Sequence, residues 1–276
     1  MLPLVPSTNR HVSSRQHPLV ARFRDAARRP GDSMLLDGPH LLAEALESRI
    51  VVEVAAFQRD GLDEPELGRL SRARGVGDVV TVTESVIAAI SPTRTPAGVV
   101  AIARRPRIDP AAVVAGGQPL VVVAVDVQDP GNLGALVRSA EAGGATGVIA
   151  TSGSADPFGW KALRGAMGSA FRLPIARVRD AGEALALVRC VSGLRVAATV
   201  SGRGLLMSEA DLTGPLALAV GSEGSGLPDE VVANADLQVT IPMAPRVESL
   251  NVAVATALLV YEARRQRLVG RPEPRT

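Results

Sequence analysis

Residues 120–125 read LVVVAV, an apolar run that breaks only at Asp126. A strand with one wet face alternates polar and apolar side chains, so a run without alternation belongs in a sheet covered on both sides. Such sheets are parallel, because the helices that carry the chain from one parallel strand to the next are also what cover the faces. The same reading applies to GVIAT (147–151), LRVAATV (194–200), PLALAVGSE (215–223) and LQVTIPM (237–243). Helical spacing fills the intervals in NLGALVRSAEAGG (132–144), WKALRGAMGS (160–169), AGEALALVRCV (181–191) and LPDEVVANA (227–235), and a final helix is expected from about Ser249 to Arg267. This predicts a parallel sheet with helices on both faces.

The earlier part of the chain alternates on a smaller scale. HPLVARFRDAARR, PHLLAEALES, ELGRLSRARG and TESVIAAIS read as helices, the third ending at Gly75; SMLLDG, VVEVAAF, DVVTVT and GVVAIAR read as strands. This is a small α/β/α domain over residues 1–106. The Pro- and Gly-rich stretch 107–118 reads as a linker, and 119–276 as the second domain.

Composition excludes several classes. Hydrophobic residues make up 46% of the 276 and aromatics 2%, which suits a Val-rich sheet under Ala/Leu helices and not a surface that stacks bases on exposed rings. No apolar run spans a bilayer and the first residues lack a secretory layout, so no membrane partner is expected. Cys190 is the single cysteine, and His11, His17 and His40 lack ligand spacing, so neither a disulfide nor a metal site is expected. A reducing, cytoplasmic setting is the default. The net charge of +2 is unevenly placed: Arg10, Arg15, Arg22, Arg24, Arg28 and Arg29 face only Asp25 near the start, and Arg264, Arg265, Arg267, Arg271 and Arg275 crowd the end. Arginine pairs bidentately with phosphate, so these ends suit a nucleic-acid backbone; a solvated surface is the plainer alternative.

Three segments concentrate polar groups at strand ends. After the first buried strand, DVQDPGNLGALVRSAEAGG offers Asn132 as a helix cap and Arg138 off the apolar stripe formed by Leu133, Leu136, Val137 and Ala140. Side chains on a helix lean toward its N-terminus, so Arg138 points back across roughly 9 Å (~1.5 Å per residue) toward Asn132. A surface pair of Arg138 with Glu141 is the alternative. The second segment, LALAVGSEGSGLPDEV, resembles a phosphate loop, but no Lys-Ser/Thr follows it, no Gly-x-Gly-x-x-Gly follows the first strand, and Glu223 would repel pyrophosphate. Its glycines suit an uncharged or cationic ligand, and a nicotinamide-dependent oxidoreductase is disfavoured. In the third, IPMAPRVESLNVAVATALL, strand-end backbone at Ile241 and Met243 meets Glu248, Ser249 and Asn251; Ser249 is a natural N-cap and Glu248 suits a helix start. Capping explains each residue singly and their convergence poorly, and open α/β sheets bind ligands where such strand-end loops meet.

Taken together, NLGALVRSAEAGGATG, VGSEGSGLPDEV and IPMAPRVESLNVAVATALLVYE closely resemble the three motifs of the SpoU (TrmH) RNA 2′-O-ribose methyltransferases of the SPOUT superfamily, in order and spacing. KALRGAMGSAFRLPI resembles the segment between the first two motifs. LLDGPHLLAEAL with TRTPAGVVAIARRP resembles the separate substrate-binding domain, a ribosomal-protein-like α/β/α module. The resemblance implies a deep trefoil knot in the C-terminal domain, a homodimer with the active site near its interface, and S-adenosylmethionine as cofactor, with no metal. It implies catalytic roles for Asn132, Arg138, Glu223, Ser249 and Asn251. Cofactor contacts are implied at Thr199, Gly221, Ile241, Met243 and Leu250, the adenine lying against backbone at Gly221, Ile241 and Leu250. RNA contacts are expected at Arg10, Arg15, Arg22 and Arg164, the last with a plain solvated-helix alternative. By analogy the extra N-terminal domain favours large-subunit ribosomal RNA; transfer RNA as substrate, or a non-catalytic RNA-binding protein keeping the knotted scaffold, are the alternatives.

Overall fold

A computed structural model describes residues 7–28 and 31–269; Arg29, Arg271 and Arg275 lie outside the described residues. The chain forms two units, one holding residues through Arg107 together with Phe158–Arg172, the other Ile108–Pro157 and Leu173 onward.

The first unit runs β1 (Ser7–Val12), α1 (Pro18–Arg28), β2 (Ser33–Asp37), α2 (Pro39–Glu47), β3 (Val52–Gln58), α3 (Pro65–Ser71), β4 (Val76–Val82), α4 (Glu84–Ile90) and β5 (Val99–Arg104). Its sheet has the order β1-β4-β3-β5-β2, with β5 antiparallel to both neighbours. Phe23, Val54, Ile87 and Ile102 fill one core between sheet and helices. The helix expected to end at Gly75 stops at Ser71; Gly75 takes a left-handed φ of 99° and turns the chain into β4.

The second unit begins with α5 (Pro110–Val113), inside the stretch read as a linker. Asp109 caps that turn by accepting from the Ala111 amide, and Val113 and Val114 are buried in the second core. Then follow β6 (Leu120–Ala124), α6 (Pro130–Ala142) and β7 (Gly147–Thr151). Two short helices, α7 (Trp160–Ala166) and α8 (Ser169–Arg172), belong to the first unit, broken from each other by left-handed Met167 and Gly168. The remainder is β8 (Ile175–Val178), α9 (Ala181–Arg189), β9 (Arg195–Thr199), β10 (Leu205–Leu206), β11 (Leu216–Val220), α10 (Asp229–Ala233), β12 (Leu237–Thr240) and α11 (Val252–Val269).

The second sheet has seven strands in the order β10-β12-β9-β11-β6-β7-β8, every pair parallel. Alternate residues of β6 point to opposite faces. Val121 and Val123 join Ile149, Ala217 and Ala219 in a core that includes Ala184 and Val188 of α9 and Val231 of α10. Helices α6 and α11 pack together, α11 against β11 and α6 against β7. Their approach is close: a β-carbon on Gly143 would lie 2.3 Å from Val260 Cγ1. Near its end α11 is fixed by Arg267, whose guanidinium donates to the carbonyls of Gln118, Pro119 and Gly214. Gln266 beside it accepts from the Leu212 amide at 2.8 Å. Among the described residues no helix is long and apolar enough to cross a membrane.

Gly143→Ala is expected to destabilise the protein by about 1–3 kcal/mol through overpacking. The double variant with Val260→Ala should lose less than the sum of the single losses when urea unfolding curves are compared.

Candidate active site

The loops that follow β6, β9, β11 and β12 all leave the carboxyl ends of neighbouring parallel strands, where this architecture leaves a crevice. The first of them is shaped by Asp129, whose carboxylate accepts from the Asn132 amide at 2.8 Å and caps α6, with Pro130 in the first helical position. Asp129 therefore takes the capping role expected of Asn132. The change has a chemical consequence: Asn132 stands inside the first turn with its side-chain amide free for other work.

That amide donates through Nδ2 to Glu223 Oε1 at 2.8 Å and accepts at Oδ1 from Asn251 Nδ2 at 2.9 Å. Asn251 Nδ2 also donates to Glu223 Oε1 at 2.7 Å, and the Val252 amide approaches the same oxygen at 3.4 Å. One carboxylate oxygen thus gathers side chains from all three segments. Positions 132 and 251 each donate and accept at once, which an amide can do and a carboxylate cannot. Asn251 Oδ1 accepts from the amides of Ala253 and Val254. It is therefore Asn251, and not Ser249, that caps α11, which begins at Val252 and not at Ser249.

The glycine loop is built for tight passage. Ser222 and Gly226 pair across it in a one-residue bridge, with the Gly226 amide donating to the Ser222 carbonyl at 2.9 Å. A β-carbon on Gly221 would lie 2.2 Å from the Gly226 carbonyl carbon, so only glycine fits at 221. The loop encloses one side of a cavity of about 620 Å³. Thr199, Gly221, Ile241, Met243 and Leu250, the five residues expected at the cofactor, all line it, and so do Glu223, Glu248 and Ser249. The Thr199 hydroxyl oxygen is buried with no hydrogen-bond partner among the described residues, a group a bound ligand would satisfy. Arg203 lines the cavity too, and sequence reasoning missed it. Its signal was the flanking pair Gly202 and Gly204, both left-handed, in the turn after β9.

Not every expected residue joins this site. Arg138 is exposed on α6, outside the cavity lining, and forms no hydrogen bond or ion pair among the described residues. Arg10, Arg15, Arg22 and Arg164 belong to the first unit. Arg10 and Arg15 are exposed, whereas Arg22 is ion-paired with Glu53. Among the described residues no group of three or more His, Cys, Asp or Glu side chains is placed to hold a metal ion.

An open parallel α/β sheet with a cavity at its carboxyl edge defines a ligand-binding architecture, and comparison with known proteins gives the family. Residues 119–261 match the SpoU rRNA Methylase family, and residues 22–101 match the MRM3-like substrate binding domain. The chain is 32% identical to the 23S rRNA (guanosine(2553)-2′-O)-methyltransferase RlmP of Bacillus subtilis, over 84% of this chain and 89% of that one. The AdoMet-bound rRNA methyltransferase of Sinorhizobium meliloti superimposes with a TM-score of 0.81 at 31% identity, covering 93% of this chain and 97% of that one. The SpoU methyltransferase AviRb of Streptomyces viridochromogenes, in complex with AdoMet, superimposes with a TM-score of 0.85 at 27% identity, covering 93% and 100%. The chain belongs to the SpoU rRNA methylase family.

Glu223→Ala removes the shared acceptor of the Asn132 and Asn251 amides, and because water reaches this exposed junction the expected cost is about 0.5–1.5 kcal/mol. Glu223→Gln keeps an acceptor oxygen and should cost less, a ranking that chemical denaturation of the two variants checks.

Proposed function

We propose that this protein is an S-adenosylmethionine-dependent RNA 2′-O-ribose methyltransferase acting on large-subunit ribosomal RNA. The observation that carries the reading is the junction of Asn132, Glu223 and Asn251 beside the cavity lined by Thr199, Gly221, Ile241, Met243 and Leu250. The named activity of the Bacillus relative and the match to a substrate-binding domain support ribosomal RNA as the substrate. On this reading the first unit, with α7 and α8 packed in it, binds RNA, the second unit catalyses, and the enzyme works in the cytoplasm. The segment after β12 is threaded to make the trefoil knot, so that the cavity is walled by loops that cannot separate without unthreading.

The cavity residues suit the cofactor. Backbone groups at Gly221, Ile241 and Leu250 would hold its adenine, the buried Thr199 hydroxyl would give a hydrogen-bonding group, and the Arg203 guanidinium would suit its carboxylate. Bound S-adenosylmethionine supplies a methyl group on a sulfonium, already electrophilic. What the chain must do is hold the ribose hydroxyl in line and help remove its proton. Arg138 stays protonated and is no base. It grips the phosphate next to the target and stabilises charge developing on the ribose oxygen, so that this phosphate or a water takes the proton. Asn132, whose amide is held by Glu223 and Asn251 and makes no bond to Arg138, orients the ribose, and Ser249 lines the pocket beside this junction.

Arg138→Ala should lower turnover on RNA by about 10²–10³-fold while the Kd for S-adenosylmethionine, measured by calorimetry, holds. Near-normal turnover removes Arg138 from the chemistry.

The enzyme works as a homodimer. Val254, Leu258 and Tyr261 are spaced along one face of α11 and are 49%, 38% and 50% exposed. An apolar stripe of this kind on the surface of a single chain marks a protein contact. Leu258→Asp is expected to shift the sedimenting species from dimer to monomer; an unchanged sedimentation coefficient places the contact elsewhere.

A further inference from the structure

The first unit carries a second cavity, of about 390 Å³, apart from the cofactor residues. Asp37, Thr93, Arg94, Thr95, Trp160 and Arg164 line it, and all six belong to the first unit. Trp160 and Arg164 come from α7 and stand four residues apart, so they share one helix face. Arg94 comes from the loop between α4 and β5. That loop is braced from within: Ser91 Oγ donates to Asp37 Oδ1 at 2.9 Å, lies 2.8 Å from Thr93 Oγ1 and accepts from the Thr93 amide at 3.1 Å.

The charges at this cavity are only partly balanced, two guanidiniums against the single carboxylate of Asp37. Arg94 and Arg164 are both exposed, and neither forms an ion pair among the described residues. Lys161, outside the cavity lining, stands over the Trp160 ring at 5.5 Å from its centre. A second arginine-lined hollow in the same unit differs in part, because Arg104 there is paired with Glu53 and Arg107 with Asp32, although Arg49 is not ion-paired among the described residues. Two exposed guanidiniums share this cavity with one carboxylate, Asp37, which leaves a net positive charge there, and guanidinium geometry matches phosphate oxygens. Phosphate alone does not explain the other walls. The Trp160 ring offers apolar surface, and the Asp37 carboxylate, which repels phosphate, is an acceptor suited to a ribose hydroxyl or a base amino group.

We propose that this cavity is a subsite for one nucleotide of the RNA substrate, its phosphate held between Arg94 and Arg164, its base against Trp160 and its sugar or base edge at Asp37. The proposal rests on the reading of the protein as an RNA methyltransferase. It assigns substrate recognition to α7, which lies in sequence between the first two site-forming loops yet packs in the first unit. A splayed-out nucleotide bound here fixes the register of the RNA without touching the methyl-transfer site, as unstacked bases do in sequence-specific RNA recognition.

Trp160 is the only tryptophan of the chain, so its fluorescence reports this cavity alone. The full chain is titrated with a large-subunit ribosomal RNA transcript, with and without inorganic phosphate as competitor, while methyl transfer and S-adenosylmethionine binding are measured in parallel. The expected result is quenching of Trp160 by the transcript and competition by phosphate. Arg94→Ala and Arg164→Ala should each raise the RNA Kd about tenfold, with partial rescue by Arg94→Lys, and the log–log salt slope should flatten by about 0.7 for a lost single-strand phosphate contact. The Kd for S-adenosylmethionine should not move in these variants. Quenching by phosphate but not by RNA makes the cavity a free-anion site and overturns the proposal, as does RNA affinity indifferent to both arginines. Absence of methyl transfer and of cofactor binding in the wild-type chain overturns the enzymatic reading instead, and arginine-dependent quenching by RNA still supports the subsite.

Discussion

Glu223 Oε1 accepts from the side chains of Asn132 and Asn251, and the Val252 amide reaches toward it. The cavity depends on this oxygen because its walls come from chain segments far apart in sequence. A loop held only at its own ends samples many shapes; three loops tied to one acceptor share one shape. The parallel sheet brings them within reach by placing the carboxyl ends of β6, β11 and β12 on one edge. Capping divides the labour: Asp129 satisfies the first turn of α6, which leaves Asn132 for the junction, and Asn251 both caps α11 and joins it. Glycine at 221 completes the arrangement, since any side chain there would collide with the loop's own backbone at Gly226.

The division of the molecule follows from packing and not from sequence order. The chain leaves the second unit after Pro157 and rejoins it at Leu173, and the excursion forms α7 and α8 within the first unit. Trp160 packs against that unit's core, and Arg172 pairs with Glu44 of α2. Arginines of the two units are thereby separated. Arg138 belongs to the second unit, whereas Arg94 and Arg164 belong to the first, Arg94 from the part that matches a substrate-binding domain and Arg164 from within the SpoU methylase match.

Much of the fold was legible. Buried strands such as β6, β7 and β11 announce themselves because both faces demand apolar side chains. The strands that escaped notice, β1, β8 and β10, all lie at sheet edges. An edge strand is paired on one side only and tolerates polar or solvent-facing residues, as in the STNRHV of β1 and the exposed Leu205–Leu206 of β10. Helix starts were misplaced for a related reason. Asp129 and Asn132, or Ser249 and Asn251, are all competent caps by residue type, and which one serves depends on where the backbone turns. At the site, the spacing of the motifs pointed to the residues that line the cavity at strand ends, but not to Arg138 lying outside it, and Arg203 belongs to no such motif.

The sequence by itself determined the layered α/β architecture, the parallel second sheet and the residue types at its strand ends, because burial on both faces and crossover connections leave few alternatives for runs such as LVVVAV and LALAV. Tertiary structure decided which of those polar residues meet. Hydrogen bonds of 2.7–2.9 Å between residues 28 to 119 positions apart exist only after the sheet has assembled. Where α7 lies was decided in the same way, since its apolar face finds its partner in the core of another unit. Local pattern fixes how a segment is built, whereas the contacts that make a site are long-range, and their geometry is set by packing that no short window of sequence contains.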